Sequence, residues 1–93
     1  MMLELIEFGP SAYPPRQFRR VEYKGLRSNK FGKLCLCLKR PGFAGQTYRD
    51  VMHVKRIRAG GREWLAPSDT SDPQHRADEI QAFIETDTAV HTS

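Results

Sequence analysis

Residues 33–40, KLCLCLKR, place Leu34, Leu36 and Leu38 on one face of an extended segment and Cys35 and Cys37 on the other, because successive side chains of a strand point to opposite sides of a sheet. Both faces are apolar, so both must be covered. A strand of a simple antiparallel sheet commonly keeps one face wet. Only one segment of the chain has helical periodicity, so a helix covers one face. The other is covered by closure of the sheet into a barrel, by a loop, or by a second subunit.

The rest of the chain supports a sheet built around this strand. MLELIEF (2–8) is apolar, β-branched and aromatic, and it ends at Gly9-Pro10, which marks a first strand. Pro14-Pro15 removes two backbone donors and makes 11–17 an extended connection. From Gln17 to Gly25 the pattern has period two, with Val21, Tyr23 and Arg19 on one face and Phe18, Arg20, Glu22 and Lys24 on the other. LRSNKFG (26–32) reads as a turn with a basic tip, and PGFAGQT (41–47) as a second turn-rich loop. YRDVMHVKRIR (48–58) reads as one long strand that returns through REWLA (62–66).

The register of that last hairpin follows from charge and size. A two-residue Gly60-Gly61 turn sets Ala59 opposite Arg62, Arg58 opposite Glu63 and Ile57 opposite Trp64. A three-residue turn would oppose Arg58 to Arg62 and Ile57 to Glu63. The two-residue turn is therefore expected. Beyond Pro67, Asp72 precedes Pro73 as an N-cap followed by a proline at the first helical position. Ala77, Ile80, Phe83 and Ile84 then recur at helical spacing. The expected fold is α+β: a small antiparallel five-stranded sheet, barrel-like or strongly curved, packed by one C-terminal helix. At 93 residues this is a single domain, with sheet over about 2–66, helix over about 73–85 and a polar, frayed tail at 86–93.

Charge is the composition feature that bears on function. The net charge of +4 conceals three zones. Residues 1–10 carry two carboxylates, for −2; residues 11–62 carry fourteen cations against two carboxylates, for +12; residues 63–93 carry seven carboxylates against Arg76 alone, for −6. A field of this size over the middle segment attracts polyanions, of which phosphate backbones are the commonest. The expected function is a non-enzymatic nucleic-acid-binding module. Its phosphate contacts are Arg16, Arg19, Arg20, Lys24 and Lys30 in the sheet and its turn, with Arg56, Arg58 and Arg62 around the Gly60-Gly61 hairpin. Seven aromatics, Tyr13, Phe18, Tyr23, Phe31, Phe43, Tyr48 and Trp64, are interleaved with these cations, and two or three of them are expected at the surface. Phe18, sharing its face with Arg20 and Lys24, and Phe31, in the turn, are the base-stacking candidates.

Other functions have less support. His53, His75, Asp50 and Glu63 form no local arrangement implying general acid–base chemistry. No phosphate-cradling loop is present, since PGFAGQT lacks the following lysine and helix. Cys35 and Cys37 are two apart on one strand face, a spacing that fits disulfide geometry poorly, and His53, His75 and His91 lack zinc-ligand spacing. Reduced, buried thiols are expected, with no metal and no cofactor. The first ten residues do not read as a signal peptide and no segment is long enough to span a bilayer, so a cytoplasmic location is expected. The competing reading is a protein-interaction or inhibitory, regulatory module with no nucleic-acid role. It would act as a homodimer or on a foreign protein partner, through strand 33–40 or the acidic helix.

Overall fold

In a computed structural model the chain forms six strands, one turn of 3-10 helix and a terminal α-helix. The structure describes residues 1–10, 12, 15–68 and 72–92, the last seven as backbone only. Strands β1 (Met2–Phe8), β2 (Gln17–Ser28), β3 (Leu34–Lys39), β4 (Thr47–Asp50), β5 (Val54–Ala59) and β6 (Arg62–Leu65) precede α1 (Pro73–Thr92). They form one antiparallel sheet in the order β4-β3-β2-β1-β5-β6. The sheet thus has six strands and is not closed, where five strands and barrel-like closure were among the expectations.

The extra strand comes from a break in 48–58. Asp50 accepts a hydrogen bond from Met52 N (2.9 Å) and caps a 3-10 turn, Val51–His53, with Val51 buried. Before the turn the chain pairs with β3, and after it with β1. Three strands therefore lie between β4 and β5. In a flat sheet that separation would be about 19 Å, at roughly 4.8 Å per strand, whereas the four Cα steps from Asp50 to Val54 reach at most about 14 Å. The sheet must curl strongly to let one short turn join its two halves.

β2 supplies the bend. It pairs with β1 through its first part and with β3 through its second. Two irregularities interrupt it: Arg20 has φ 54°, and Gly25 has φ 115° beside a register shift between Tyr23 and Gly25. A bulge such as the one at Gly25 kinks a strand and increases its twist. The first irregularity also reassigns faces. With Arg20 in the left-handed region, Phe18 no longer alternates away from Val21 and Tyr23, and all three side chains enter one core.

That core lies between the concave face of the sheet and α1. Cross-strand neighbours Phe18, Ile6, Ile57 and Trp64 form one row of it, and Leu3, Val21, Leu36 and Leu38 continue it. From the helix come Ala77, Ile80, Phe83 and Ile84, all buried. Asp72 caps the helix as its sequence implied, accepting from Gln74 N at 3.1 Å. The helix runs to Thr92, beyond the expected end near residue 85. Two polar contacts pin it: the Tyr23 hydroxyl donates to Gln81 Oε1 (2.6 Å), and buried Arg76 donates to the carbonyls of Val54 (3.1 Å) and Pro67 (3.3 Å).

The β5–β6 hairpin has the expected register, with Ala59 opposite Arg62, Arg58 opposite Glu63 and Ile57 opposite Trp64. Gly60 and Gly61 have φ of 59° and 75°, the pair of left-handed residues that a type I′ turn requires. The two cysteines are free and buried. Their face is not covered by barrel closure, since the sheet is open. The Cys37 thiol donates to Gln46 Oε1 at 3.2 Å, and Arg27 folds back over Gly25, the cross-strand neighbour of Cys37. Long side chains from β2 and from just before β4 thus approach Cys37 and its cross-strand neighbour.

Candidate functional site

The curled sheet separates charge into two halves. β1, β5 and β6 carry Lys55, Arg56, Arg58 and Arg62 against Glu4, Glu7 and Glu63, close to neutral. Residues 15–50, which hold β2, β3, β4 and their connections, carry ten cations against Glu22 and Asp50. The basic character read along the sequence therefore belongs to one half of the sheet.

The hairpin candidates fall in the compensated half. Arg56 Nε donates to Glu7 at 2.7 Å, its Nη1 lies 3.4 Å from Glu63, and Arg58 lies 3.6 Å from the same carboxylate. The hydrogen bond and charge of Glu7 raise the Arg56 pKa further above its ordinary value. Arg62 points the other way. It is opposite buried Ala59 and its guanidinium sits 5.0 Å from the Phe83 ring of the helix. These three arginines do not form a single surface.

Of the sheet candidates, Arg16, Arg19 and Arg20 are exposed at or near the start of β2. Arg16 closes the β1–β2 connection by accepting from Phe8 N at its carbonyl (2.7 Å). Lys24 is 3.7 Å from Glu22. Lys30 lies in the β2–β3 turn with its ammonium 5.2 Å from the Phe31 ring. Asn29 organises that turn, its Oδ1 accepting from Phe31 N and Lys33 N, both at 2.9 Å, a common use of asparagine where the backbone needs a local acceptor.

The aromatic candidates divide. Phe31 is 75% exposed. Phe18 is only 4% exposed; the φ reversal at Arg20 turns it into the core, edge-on to Phe8, and removes it as a stacking platform. Tyr23 is buried, Trp64 is half-buried, and Tyr13 lies outside the described residues. Two rings not singled out from the sequence reach the surface, Phe43 at 53% and Tyr48 at 48%. With Phe31, they place every exposed aromatic ring among the described residues on the β3–β4 side of the sheet.

Two further cations belong to this region. A turn at Pro41-Gly42, closed by Phe43 N donating to the Arg40 carbonyl (3.2 Å), sets Arg40 beside Phe43. The Arg40 guanidinium lies 4.3 Å from the Phe43 ring centroid and 4.9 Å from that of Phe18. Arg49, opposite Leu36 on β3, lies 5.3 Å from both Phe8 and Phe18. Burial pushes the Arg49 pKa down, and the charge of Arg40 pushes it further. The quadrupoles of these rings attract both guanidinium groups. Beside them a cleft of about 310 Å³ is bordered by Gln17, Phe18, Arg19, Arg40 and Phe43. Neither arginine was legible as a site residue, because its neighbours depend on the β3–β4 pairing and on the turned Phe18.

No group of three or more His, Cys, Asp or Glu side chains suited to a metal occurs among the described residues, and no helix among them is long and apolar enough to cross a membrane. Comparison with known proteins finds no matching family model, no matching curated protein and no matching solved structure.

Proposed function

We propose that this protein is a non-enzymatic nucleic-acid-binding module that meets phosphates through the β2–β3–β4 half of its sheet. The supporting observation is the segregation of charge: ten cations and two carboxylates occupy that half, while Arg56 and Arg58 of the β5–β6 hairpin are engaged by Glu7 and Glu63. Arg16, Arg19, Arg20, Arg40, Lys30 and Lys33 are its phosphate contacts. Arg56, Arg58 and Arg62, expected from the sequence to serve this role, are reassigned to holding the sheet and helix together.

The arrangement suits a polyanion better than a small acidic ligand, because the cations are distributed over both ends of β3 rather than gathered in one pocket. Flanking rings add contact area that tolerates any base. The test is oligonucleotide affinity in charge-reversal variants. Arg40→Glu with Lys33→Glu should lower affinity and flatten its salt dependence, by about one unit of slope for each phosphate contact removed. Arg56→Glu with Arg58→Glu should do neither beyond any loss of stability. The opposite pattern would return the site to the hairpin.

A further inference from the structure

Phe31 and Tyr48 border the same cavity, of about 460 Å³, on the convex face of the sheet. Tyr48 comes from β4, opposite Cys37, and Phe31 from the turn that Asn29 organises. Cys35, buried, forms part of the lining, and Lys33, Asp50 and His53 line the same cavity. We infer that the nucleic acid is single-stranded and that this cavity takes an unpaired base, an inference that rests on the function proposed above.

The volume falls within the roughly 300–1,000 Å³ of small-ligand sites, and the two rings are the most and third most exposed aromatics of the described chain. In a duplex the base faces are stacked on one another and only the edges are open, so a cavity walled by rings has nothing to receive from it. An unstacked base offers its faces, and aromatic platforms bind any base in this way. The charge around the cavity also fits. Lys33 lines it, 3.9 Å from Asp50, while Arg27 is the cross-strand partner of the lining Cys35 and Lys30 precedes Phe31 in the turn, so cations outnumber carboxylates at and next to the cavity for the flanking phosphates. Asp50 and His53 add polar groups to the lining, while Cys35 provides an apolar, non-ionised wall. Burial and the nearby Asp50 carboxylate both push its thiol pKa up.

The test is fluorescence anisotropy with a labelled single-stranded DNA, the same sequence as RNA, and the corresponding duplex, each of about twelve nucleotides, a length within known single-strand site sizes. Either single strand should bind at least about tenfold more tightly than the duplex. Phe31→Ala and Tyr48→Ala should each weaken single-strand binding by about fivefold or more, the lower end of the stacking range, with Tyr48→Phe retaining affinity. Both side chains are exposed, and an unchanged thermal midpoint shows that the variants are folded. Equal or tighter duplex binding, or alanine variants that bind the single strand as well as the unaltered protein, overturns the inference and leaves the nucleic-acid reading standing. Failure to bind any of the three at about 50 mM salt, where phosphate contacts are strong, overturns that reading and the inference with it.

Discussion

Arg56 donates through Nε to the Glu7 carboxylate at 2.7 Å, across the β1–β5 pair and 49 residues away in sequence. That contact changes how the basic charge of the chain should be understood. A cation already engaged by a carboxylate gains little from a phosphate, since one favourable contact is exchanged for another. Arg56→Gln should therefore leave oligonucleotide affinity within about twofold of the unaltered protein, a change below the roughly 1.4 kcal/mol that a tenfold loss represents. Arg40→Gln should weaken binding measurably under the same conditions. Equal losses in the two variants would show that the hairpin takes part after all.

Buried Arg76 is a second arginine with a structural task. At 3% exposure it bridges the helix to the carbonyls of Val54 and Pro67 and lies 5.8 Å from the Trp64 ring. Arg76→Ala would leave those carbonyls without their donor in a dry environment, at a cost of about 2–3 kcal/mol. Urea unfolding followed by tryptophan fluorescence measures this. A loss below about 0.5 kcal/mol, the ordinary size of a surface substitution, would show that the helix is held by its apolar face alone.

Tyr23 gives the fold a pH dependence. Desolvation raises its pKa from an ordinary value near 10 to about 12, with Arg27 opposing and Glu85 adding to the shift. The folded state favours the neutral phenol, so this contribution to stability is fully present below about pH 10 and is lost as the pH rises through about 12. Unfolding free energy measured across that window should fall for the unaltered protein, and Tyr23→Phe should abolish the fall due to this group. A slope unchanged by the substitution would contradict the account.

The hairpin turn offers a test of backbone conformation alone. Gly61 has φ 75° with nothing within 4 Å of where a Cβ would stand. Gly61→Ala should cost about 1 kcal/mol, the penalty of a left-handed L-residue, and Gly61→Asn less, because asparagine tolerates that region. Chemical denaturation of both variants decides the matter; equal costs would point to a contact rather than to backbone strain.

How much of this was legible in the sequence depended on whether the information was local. The Gly60-Gly61 register follows from three opposed pairs within eight residues, and the Asp72-Pro73 start follows from capping chemistry. Ala77, Ile80, Phe83 and Ile84 show their burial through spacing alone. The break at Val51–His53 has no such signal, because YRDVMHVKRIR alternates plausibly throughout and only the competing pairings with β3 and β1 interrupt it. Arg20 is similar: its left-handed φ violates the propensity of its residue type, so nothing in the sequence announces that Phe18 turns inward. The basic charge was readable as a total. Its location was not, since Arg56 meets Glu7 of β1, 49 residues away in sequence, a pairing that no local pattern announces.

The central claim is that the β2–β3–β4 half of the sheet binds a phosphate backbone, and a salt series of oligonucleotide affinity tests it most directly. Binding is expected at about 50 mM salt and should weaken steeply by about 200 mM, with log affinity falling linearly in log salt and the slope reduced by Arg40→Glu with Lys33→Glu. No binding at the lower salt, or binding indifferent to salt, would contradict it.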